Sequence, residues 1–483
     1  MNANSLRRTS KVTRTLSAAA VMAATMAAVG SLSGCAAVSP DGGVASLSSL
    51  TQARLGRPVA AQRTDADRAR AAEQVQAWLA EPLTADRCVD IALLNHPGLQ
   101  STLAALGVAE ADRAQAARLA NPTLGFGRIR GGGHTELDRS LTVSVLGLLA
   151  LPAARDLGQS RFDEARLQAA QAVVQQATEA RLAFHEAVAA QELLGYHQQV
   201  QTAADAASEL ARRMQEAGNF SRLAQWREQA FQSDARANLA RARHQATATR
   251  ERLARALGLA GDPARMTLPE RLQPLPEAPA EPAAALRAAL ETRLDVQLAR
   301  QQAQTAARAL SWTRASRFVN VLELGTLQKN QTGDARQRGF DVSLELPLFD
   351  PGDARLARAE AEYQRALHQT AAAAAQAESD MREAHSAYQA AYAVAQHQWH
   401  EAVPLRKRIS DEQLLRYNGM LISVFDLLAD ARDQIGTVTT AVQALRDYWL
   451  ADAQLQAVAA GAPYRGAPVD APTRPAAANT ARH

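Results

Sequence analysis

Along most of the chain, apolar and small residues recur at intervals of three and four among Arg, Gln and Glu, the spacing of helices with one buried face. Period-two alternation interrupts this pattern in two places. Thr123 to Arg130 and Leu141 to Leu149 predict one pair of strands joined at Gly131-Gly132-Gly133, and Phe318 to Leu327 and Gly339 to Leu348 predict a second pair joined at Asn330 to Asp334. In the last of these, Phe340, Val342, Leu344 and Leu346 alternate with Asp341, Ser343 and Glu345, giving one apolar and one polar face. A strand of that kind separates an apolar medium from a polar one.

The helical stretches are punctuated in a repeating order. Thr84 is an N-cap with Asp86 in the first turn of a helix of about 35 residues, which bends at Pro97 and ends at Asn121-Pro122. After each strand pair comes a very long helix, Ala153 to Glu216 and Asp353 to Tyr417, each reaching roughly 97 Å at 1.5 Å per residue. Pro404 is where the second would kink. Helices this long need neighbours along their whole length. In the second, Met381, Tyr388, Tyr392, Trp399 and Val403 keep an 11-residue period, which leaves packed helices nearly straight. Each long helix ends at a tight break, Ala217-Gly218-Asn219-Phe220 and Asn418-Gly419-Met420-Leu421, where glycine past the helix end reverses the chain. Return helices then run to Leu257-Gly258 and to about Gly461.

The same order of landmarks occurs twice. Ala92 to Gln100 parallels Ala289 to Gln297 at an offset of 197, Leu151-Pro152 parallels Leu346-Pro347 at 195, and Gly218 parallels Gly419 at 201, which points to an internal duplication. The expected organisation is a first repeat over 83–260, a Pro-rich linker over 261–282 that cannot be continuous helix, a second repeat over 283–461 and a disordered tail over 462–483. Residues 35–82 read as an N-terminal tether with one helix, Asp65 to Leu79.

Charge changes the picture at the N-terminus. The chain has 53 Lys plus Arg against 49 Asp plus Glu, a net charge of +4. Residues 1–34 contain Arg7, Arg8, Lys11 and Arg14 and no acid, so removing these four cations leaves 49 basic against 49 acidic groups. Four cations, the apolar run Leu16 to Val29 and Leu32-Ser33-Gly34-Cys35 follow the order of a secretory signal, and the run is too short to span a bilayer. The ending resembles a bacterial lipobox, which makes Cys35 the acylated N-terminus after cleavage, and Ala36 at the next position favours the outer membrane. The surplus is thus an export address, and nothing in the charge balance calls for nucleic acid. The other cysteine, Cys88, lies among Val89, Ile91 and Leu94 and reads as a small buried hydrophobe, so no intramolecular disulfide framework exists.

Four strands of about ten residues fit a tilted membrane crossing. They cannot close a barrel alone, and an open sheet edge is forbidden in lipid, so a membrane role requires several chains to share one barrel. An eight-stranded barrel is filled by side chains, so a pore favours at least three chains. A soluble cap of two hairpins on a helical bundle is the alternative left open by alternation alone.

Two tandem copies of helix, strand pair, long helix, glycine turn and return helix behind a lipobox resemble the TolC family of outer-membrane efflux proteins over about residues 83–461. Leu344-Glu345-Leu346-Pro347-Leu348-Phe349-Asp350 running into a helix, and Arg416-Tyr417 followed by Leu421-Ile422-Ser423-Val424-Phe425-Asp426-Leu427-Leu428, carry the resemblance most directly. It implies a mainly α fold with a small β part: a homotrimer whose duplicated helical hairpins form an α-barrel tunnel, continued by a twelve-stranded transmembrane β-barrel. It also implies a passive duct without enzymatic activity or cofactor, held in the outer membrane by lipid on Cys35. Helical tips would meet a periplasmic adaptor protein and an inner-membrane pump.

The resemblance further implies a periplasmic gate at Tyr417 and Asp426. Ala429 stands where a second gate carboxylate belongs, and Asp430 follows it by one residue. Three Asp426 side chains near one axis would favour cations, while a solvated surface acid is the plainer alternative. At the tips, Gly218, Asn219, Phe220, Gly419, Met420 and Leu421 are candidate adaptor contacts because apolar residues beside exposed turns signify contact, with packing between neighbouring hairpins as the competing reading. His397, His400 and Glu401, with His385 twelve residues before His397, lack the pattern of a metal site and read as solvated or packed side chains. No nucleophile elbow, phosphate loop or zinc-protease helix is present. A periplasmic adaptor would show one hairpin with separate β domains, and a structural coiled-coil lipoprotein would not need four alternating strands. The cargo, whether drug, metal ion or polypeptide, is not written in the chain.

Overall fold

The computed structural model describes residues 37–132, 134–259, 266–279, 293–319 and 321–466. The expected signal segment 1–34, Cys35, residues 260–265 and 280–292 at the two ends of the linker and in the adjoining repeats, and the tail beyond 466 lie outside the described residues. In chain order the elements are α1 (Val44–Leu55), α2 (Asp65–Leu79), α3 (Ala85–Asn95), α4 (Pro97–Ala116), β1 (Thr123–Gly131), β2 (His134–Ser144), α5 (Val145–Glu216), α6 (Arg222–Ala256), α7 (Leu294–Ser316), β3 (Leu322–Gln331), β4 (Gln337–Leu344), α8 (Asp353–His397), a π-helical segment (Gln398–Ala402), α9 (Val403–Asn418) and α10 (Val424–Ala460). Most of the chain is helical, with one small antiparallel sheet.

The described residues form two compact units, one drawn from those within 37–43, 105–166 and 300–368, the other from those within 44–104, 167–299 and 369–466. Each takes part of both sequence copies. The first unit carries the sheet, a meander in the order β1-β2-β3-β4 with every pairing antiparallel. In the same unit, Glu110 binds Arg113 through two hydrogen bonds of 2.7 Å and accepts the Ser39 N–H at 3.2 Å, and the Arg113 guanidinium stands 5.8 Å from the centre of the Phe162 ring.

Several expected boundaries move, each for a local reason. Leu141 to Leu149 was expected to be a strand, but β2 spans His134–Ser144 and α5 begins at Val145. The Ser144 Oγ caps the new helix by accepting the Gly147 N–H at 3.1 Å, and a continuous apolar run fits helix as well as strand. Pro152 therefore lies inside α5, whose 72 residues reach about 108 Å at 1.5 Å per residue. β3 begins at Leu322 instead of Phe318 and continues to Gln331, and β4 spans Gln337–Leu344 instead of Gly339 to Leu348. The expected bend at Pro97 is a break: His96 is extended at ψ 119°, as a residue before proline prefers, and separates α3 from α4. Thr84 caps α3 as expected, accepting the Arg87 N–H.

The second unit holds a helical core. Tyr388, Tyr392, Met381 and Ala384 of α8 pack with Tyr448, Leu455 and Val458 of α10. The described part of the linker lies along it: the Tyr392 hydroxyl donates to the carbonyls of Pro276 and Glu277 at 3.1 and 2.9 Å, and the Trp449 indole N–H donates to Gln273 at 3.0 Å. Arg293 is fully buried and satisfied by Asp295, the Val458 carbonyl and Asp380. Gly461, at φ +101°, ends α10 where an added Cβ would stand 2.3 Å from the Leu294 backbone nitrogen, so no other residue fits there without a shift. The segment expected as a one-helix tether has two, because Val44, Leu47 and Thr51 bury one face of a Ser-rich stretch. It is also held down, with the Gln62 side chain donating to the Leu94 carbonyl at 2.7 Å and Arg57 paired with Asp86 at 2.9 Å. No described helix is long and apolar enough to cross a membrane.

Candidate functional site

The register sorts the strand residues onto two faces of opposite chemistry. Leu124 faces Leu141, Leu141 faces Thr326 and Thr326 faces Phe340, so these four share a face and a level. The next levels towards the strand bases add Val143, Leu324 and Val342, then Leu322 and Leu344. Towards the turns the same face carries Phe126, Arg139, Gln328 and Arg338, then Arg128, Leu137 and Asn330, then Arg130. This face has no acid. The opposite face carries Glu136, Asp138, Glu323 and Asp341 among Ser140, Thr142, Ser343 and five glycines, with Ile129 and Leu327 as its large apolar residues and Lys329 as its one lysine. Lys329 lies 3.3 Å from Glu136 and 3.9 Å from Asp138. Large apolar residues on the first face are exposed, Leu124 at 78% and Phe340 at 79%, and β1 and β4 are the open edges of the sheet.

The two helical tips close differently. After α5, Gly218 is left-handed at φ +78°, its N–H bonds to Gln215 and the Asn219 N–H bonds to Met214, an end that glycine makes at no steric cost. After α9 the expected glycine is not the reversing residue. Gly419 sits at φ −82° and Met420 takes φ +59°, with the Met420 N–H bonded to Tyr417 and the Leu421 N–H to Arg416. Met420 is thus the structural counterpart of Gly218. Its side chain is 92% exposed and Leu421 is 77% exposed, whereas Phe220, expected to be presented at the first tip, is buried. A bulky ring next to a tight turn finds cover within its own chain more readily than the residue at the turn's apex does.

Ser221 and Ser423 are the N-caps of the return helices α6 and α10. Asp426 closes a capping box with Ser423, accepting its N–H at 3.0 Å and its hydroxyl at 2.8 Å. These hydrogen bonds, the hydroxyl first, hold its exposed carboxyl below the usual carboxylate range, so it stays charged. Asp430, one turn on, is buried, with Oδ1 3.6 Å from Arg406, and Arg406 also pairs with Asp433. The two candidate gate acids therefore have different surroundings, one open and one turned inward, and Tyr417 is partly exposed.

Sequence reasoning missed a third carboxylate. Glu228 lies seven residues after Ser221 as Asp430 lies seven after Ser423; it is buried, and its Oε1 is 2.6 Å from Arg432 of α10. Arg432 stacks 4.5 Å from the centre of the Phe231 ring. Glu228 Oε2, Asp430 Oδ2 and Arg432 Nε have no hydrogen-bond partner among the described residues. The shared distance from a serine N-cap is the signal that could have found Glu228.

Elsewhere, His397 Nδ1 lies 3.2 Å from Glu401 on an exposed turn of the π segment, and no group of three or more potential metal ligands stands together among the described residues. Cys88 is fully buried, and burial pushes its thiol pKa up, leaving it unreactive.

No family model matches the chain, and no curated protein matches it in sequence. Solved structures do match. The outer membrane protein VceC from Vibrio cholerae is 18% identical with a TM-score of 0.65, over 78% of this chain and 96% of its own. The open-state MtrE outer membrane channel from Neisseria gonorrhoeae is 17% identical with a TM-score of 0.65, over 78% and 89%. CusC, described for conformational changes accompanying folding and transmembrane channel formation, is 14% identical with a TM-score of 0.63, over 78% and 92%. The chain has the fold of these three structures, and the resemblance read from its residues is met at the level of fold.

Proposed function

We propose that this protein is the outer-membrane channel of a tripartite efflux system, a passive homotrimeric duct that receives cargo from an inner-membrane pump through a periplasmic adaptor. The observation that carries the reading is the open four-stranded sheet, apolar over the base half of one face and mainly polar on the other, with both edge strands unpaired among the described residues. Exposed edges and an exposed apolar face are both costly in isolation. Three copies joined edge to edge would remove the open edges by forming twelve strands around a polar interior, and lipid would cover the apolar face outside. The fold shared with VceC, MtrE and CusC supports it, as does coverage of most of the length of each.

Within this reading Cys35 carries the acyl anchor, Tyr417 and Asp426 lie at the periplasmic constriction, and Asp430 and Glu228 fasten the return helices behind it. The exposed Met420 and Leu421, with Gly218, Asn219 and Gly419 shaping the turns, offer the adaptor surface. A left-handed methionine costs about 1–2 kcal/mol, and such strain collects at contact sites.

The test is insertion of the purified full chain into a planar bilayer together with its mass in detergent. Discrete conductance from a three-copy species is expected, and a monomer without conductance overturns the reading. In the same recordings Asp426→Ala is expected to weaken cation preference; unchanged selectivity removes Asp426 from the constriction. Cysteines placed at Asn219 and Asn418 should capture an adaptor encoded alongside the chain.

A further inference from the structure

We infer that the turn-side half of the apolar sheet face is a binding site for lipids with phosphate-bearing headgroups. The inference rests on the membrane reading above and adds a ligand class to it. Arg128, Arg130, Arg139 and Arg338 all lie on this face and all are exposed. Every acid of the four strands lies on the other face. Phe126 pairs with Arg139 across β1 and β2, and Gln328 separates Arg139 from Arg338 across β3, so at about 4.8 Å between strands and about 3.4 Å per residue Arg139 sits within about 10 Å of both Arg128 and Arg338, and the four arginines span about 20 Å of the face.

Arg139 with Arg128 on one side and Arg338 on the other brings like charges together, and an arginine on a lipid-facing strand is costly at mid-bilayer and close to neutral near an interface. Both costs fall if the arginines stand at headgroup depth with an anion among them. Guanidinium forks bind phosphate oxygens in pairs of parallel hydrogen bonds. The level immediately below holds Leu124, Leu141 and Phe340, with Val143, Leu324 and Val342 beneath. A phosphate at the arginines with acyl chains lying down the apolar levels matches the whole face, whereas a free anion would use its upper half alone. In a closed ring of three copies the patch becomes a continuous basic belt above an apolar one.

The test uses the full-length protein purified in neutral detergent and native mass spectrometry of lipid it retains. The probes are bis-phosphorylated lipid A, the same lipid with its phosphates removed, and inorganic phosphate as competitor. The wild-type protein is expected to retain the phosphorylated lipid at least tenfold over the dephosphorylated one. The combined Arg128→Gln, Arg130→Gln, Arg139→Gln and Arg338→Gln variant should lose that preference, while Lys329→Gln on the opposite face keeps it. Equal retention of the two lipids by the wild type overturns the inference, as does displacement by equimolar inorganic phosphate, which would mark a simple anion site. The lipid comparison on the wild type decides the matter even if the fourfold variant does not fold. A protein that conducts in bilayers without lipid preference refutes this inference alone; one that neither inserts nor conducts refutes the channel reading as well.

Discussion

Met420 holds a left-handed backbone at φ +59° where its counterpart in the first tip is Gly218. Substituting glycine relieves about 1–2 kcal/mol of strain and returns about 0.5–1 kcal/mol to the unfolded chain as entropy. Met420→Gly should therefore change stability little, while Met420→Ile, β-branched and worse in that region, should lower the thermal midpoint by several degrees. If the side chain is part of the adaptor surface, Met420→Gly should reduce capture through Asn418 although the fold is intact. His185 makes a pH prediction. It is buried and stacked on Trp449 with 5.5 Å between ring centres, and burial, helped by the Arg181 charge, pushes its pKa down to about 4 from 6.5. Between those values the unfolded chain binds more protons, so stability falls as pH drops from about 6.5 to 4, by up to about 3 kcal/mol, and levels off below. Burial raises Glu192 and Asp452, which pull the other way, so the quantity to measure is the difference between wild type and His185→Gln in unfolding free energy across that range. A smaller pH slope in the wild type than in the variant would contradict it.

Among the elements, the return helices show how local rules place side chains that distant contacts then use. Each starts at a serine N-cap, and the acid two turns in, Glu228 or Asp430, is buried against an arginine. Arg432 reaches from α10 to Glu228 of α6, which ties one hairpin to the other. Removing one partner of a buried pair costs about 3–5 kcal/mol, because the charge left behind has no compensation. Arg432→Ala, which leaves the buried Glu228 without its partner, should destabilise by that order, Glu228→Ala should cost less because the Arg432 side chain is one-third exposed, and the two together should cost less than the sum of the single changes. An additive double-mutant cycle would deny the coupling. The long helix of the second copy is interrupted by its π segment just before Pro404. Proline lacks the N–H that the His400 carbonyl would accept and its ring crowds that carbonyl, so the helix widens there. The stripe read from the sequence holds as buried core at Met381, Tyr388 and Tyr392, then ends at Trp399, which is only part-buried and donates to the Ala441 carbonyl at 3.0 Å.

For the whole molecule, the division of charge between the sheet faces decides what a closed barrel would do. Lys329 offsets Glu136 and Asp138, while Glu323 and Asp341 share their face with no other lysine or arginine, so a lumen built from this face would prefer cations. Glu323→Gln combined with Asp341→Asn should lower the cation-to-anion permeability ratio at least twofold in bilayer recordings, and an unchanged ratio would place these residues outside the conducting path. Much of the architecture was legible in the chain: the four strands and the order of helical and strand stretches after residue 83, the Thr84 cap, the Gly218 turn and the apolar levels of the sheet. These depend on periodicity and capping, which act within a few residues. The strand extents were not legible, because Thr135 to Ser140 and Gln328 to Gln331 are mostly polar and join the ladder only through partners on other strands. The missed portion includes Arg139 and lies beside Arg338, so the basic half of the face became visible only with the register. Phe220's burial, the reversing role of Met420 and the pairing of Glu228 with Arg432 likewise depend on contacts between elements. Local chemistry in the sequence determined which elements form and where they turn; which side each residue faces, and which charge it meets, was decided by long-range pairing.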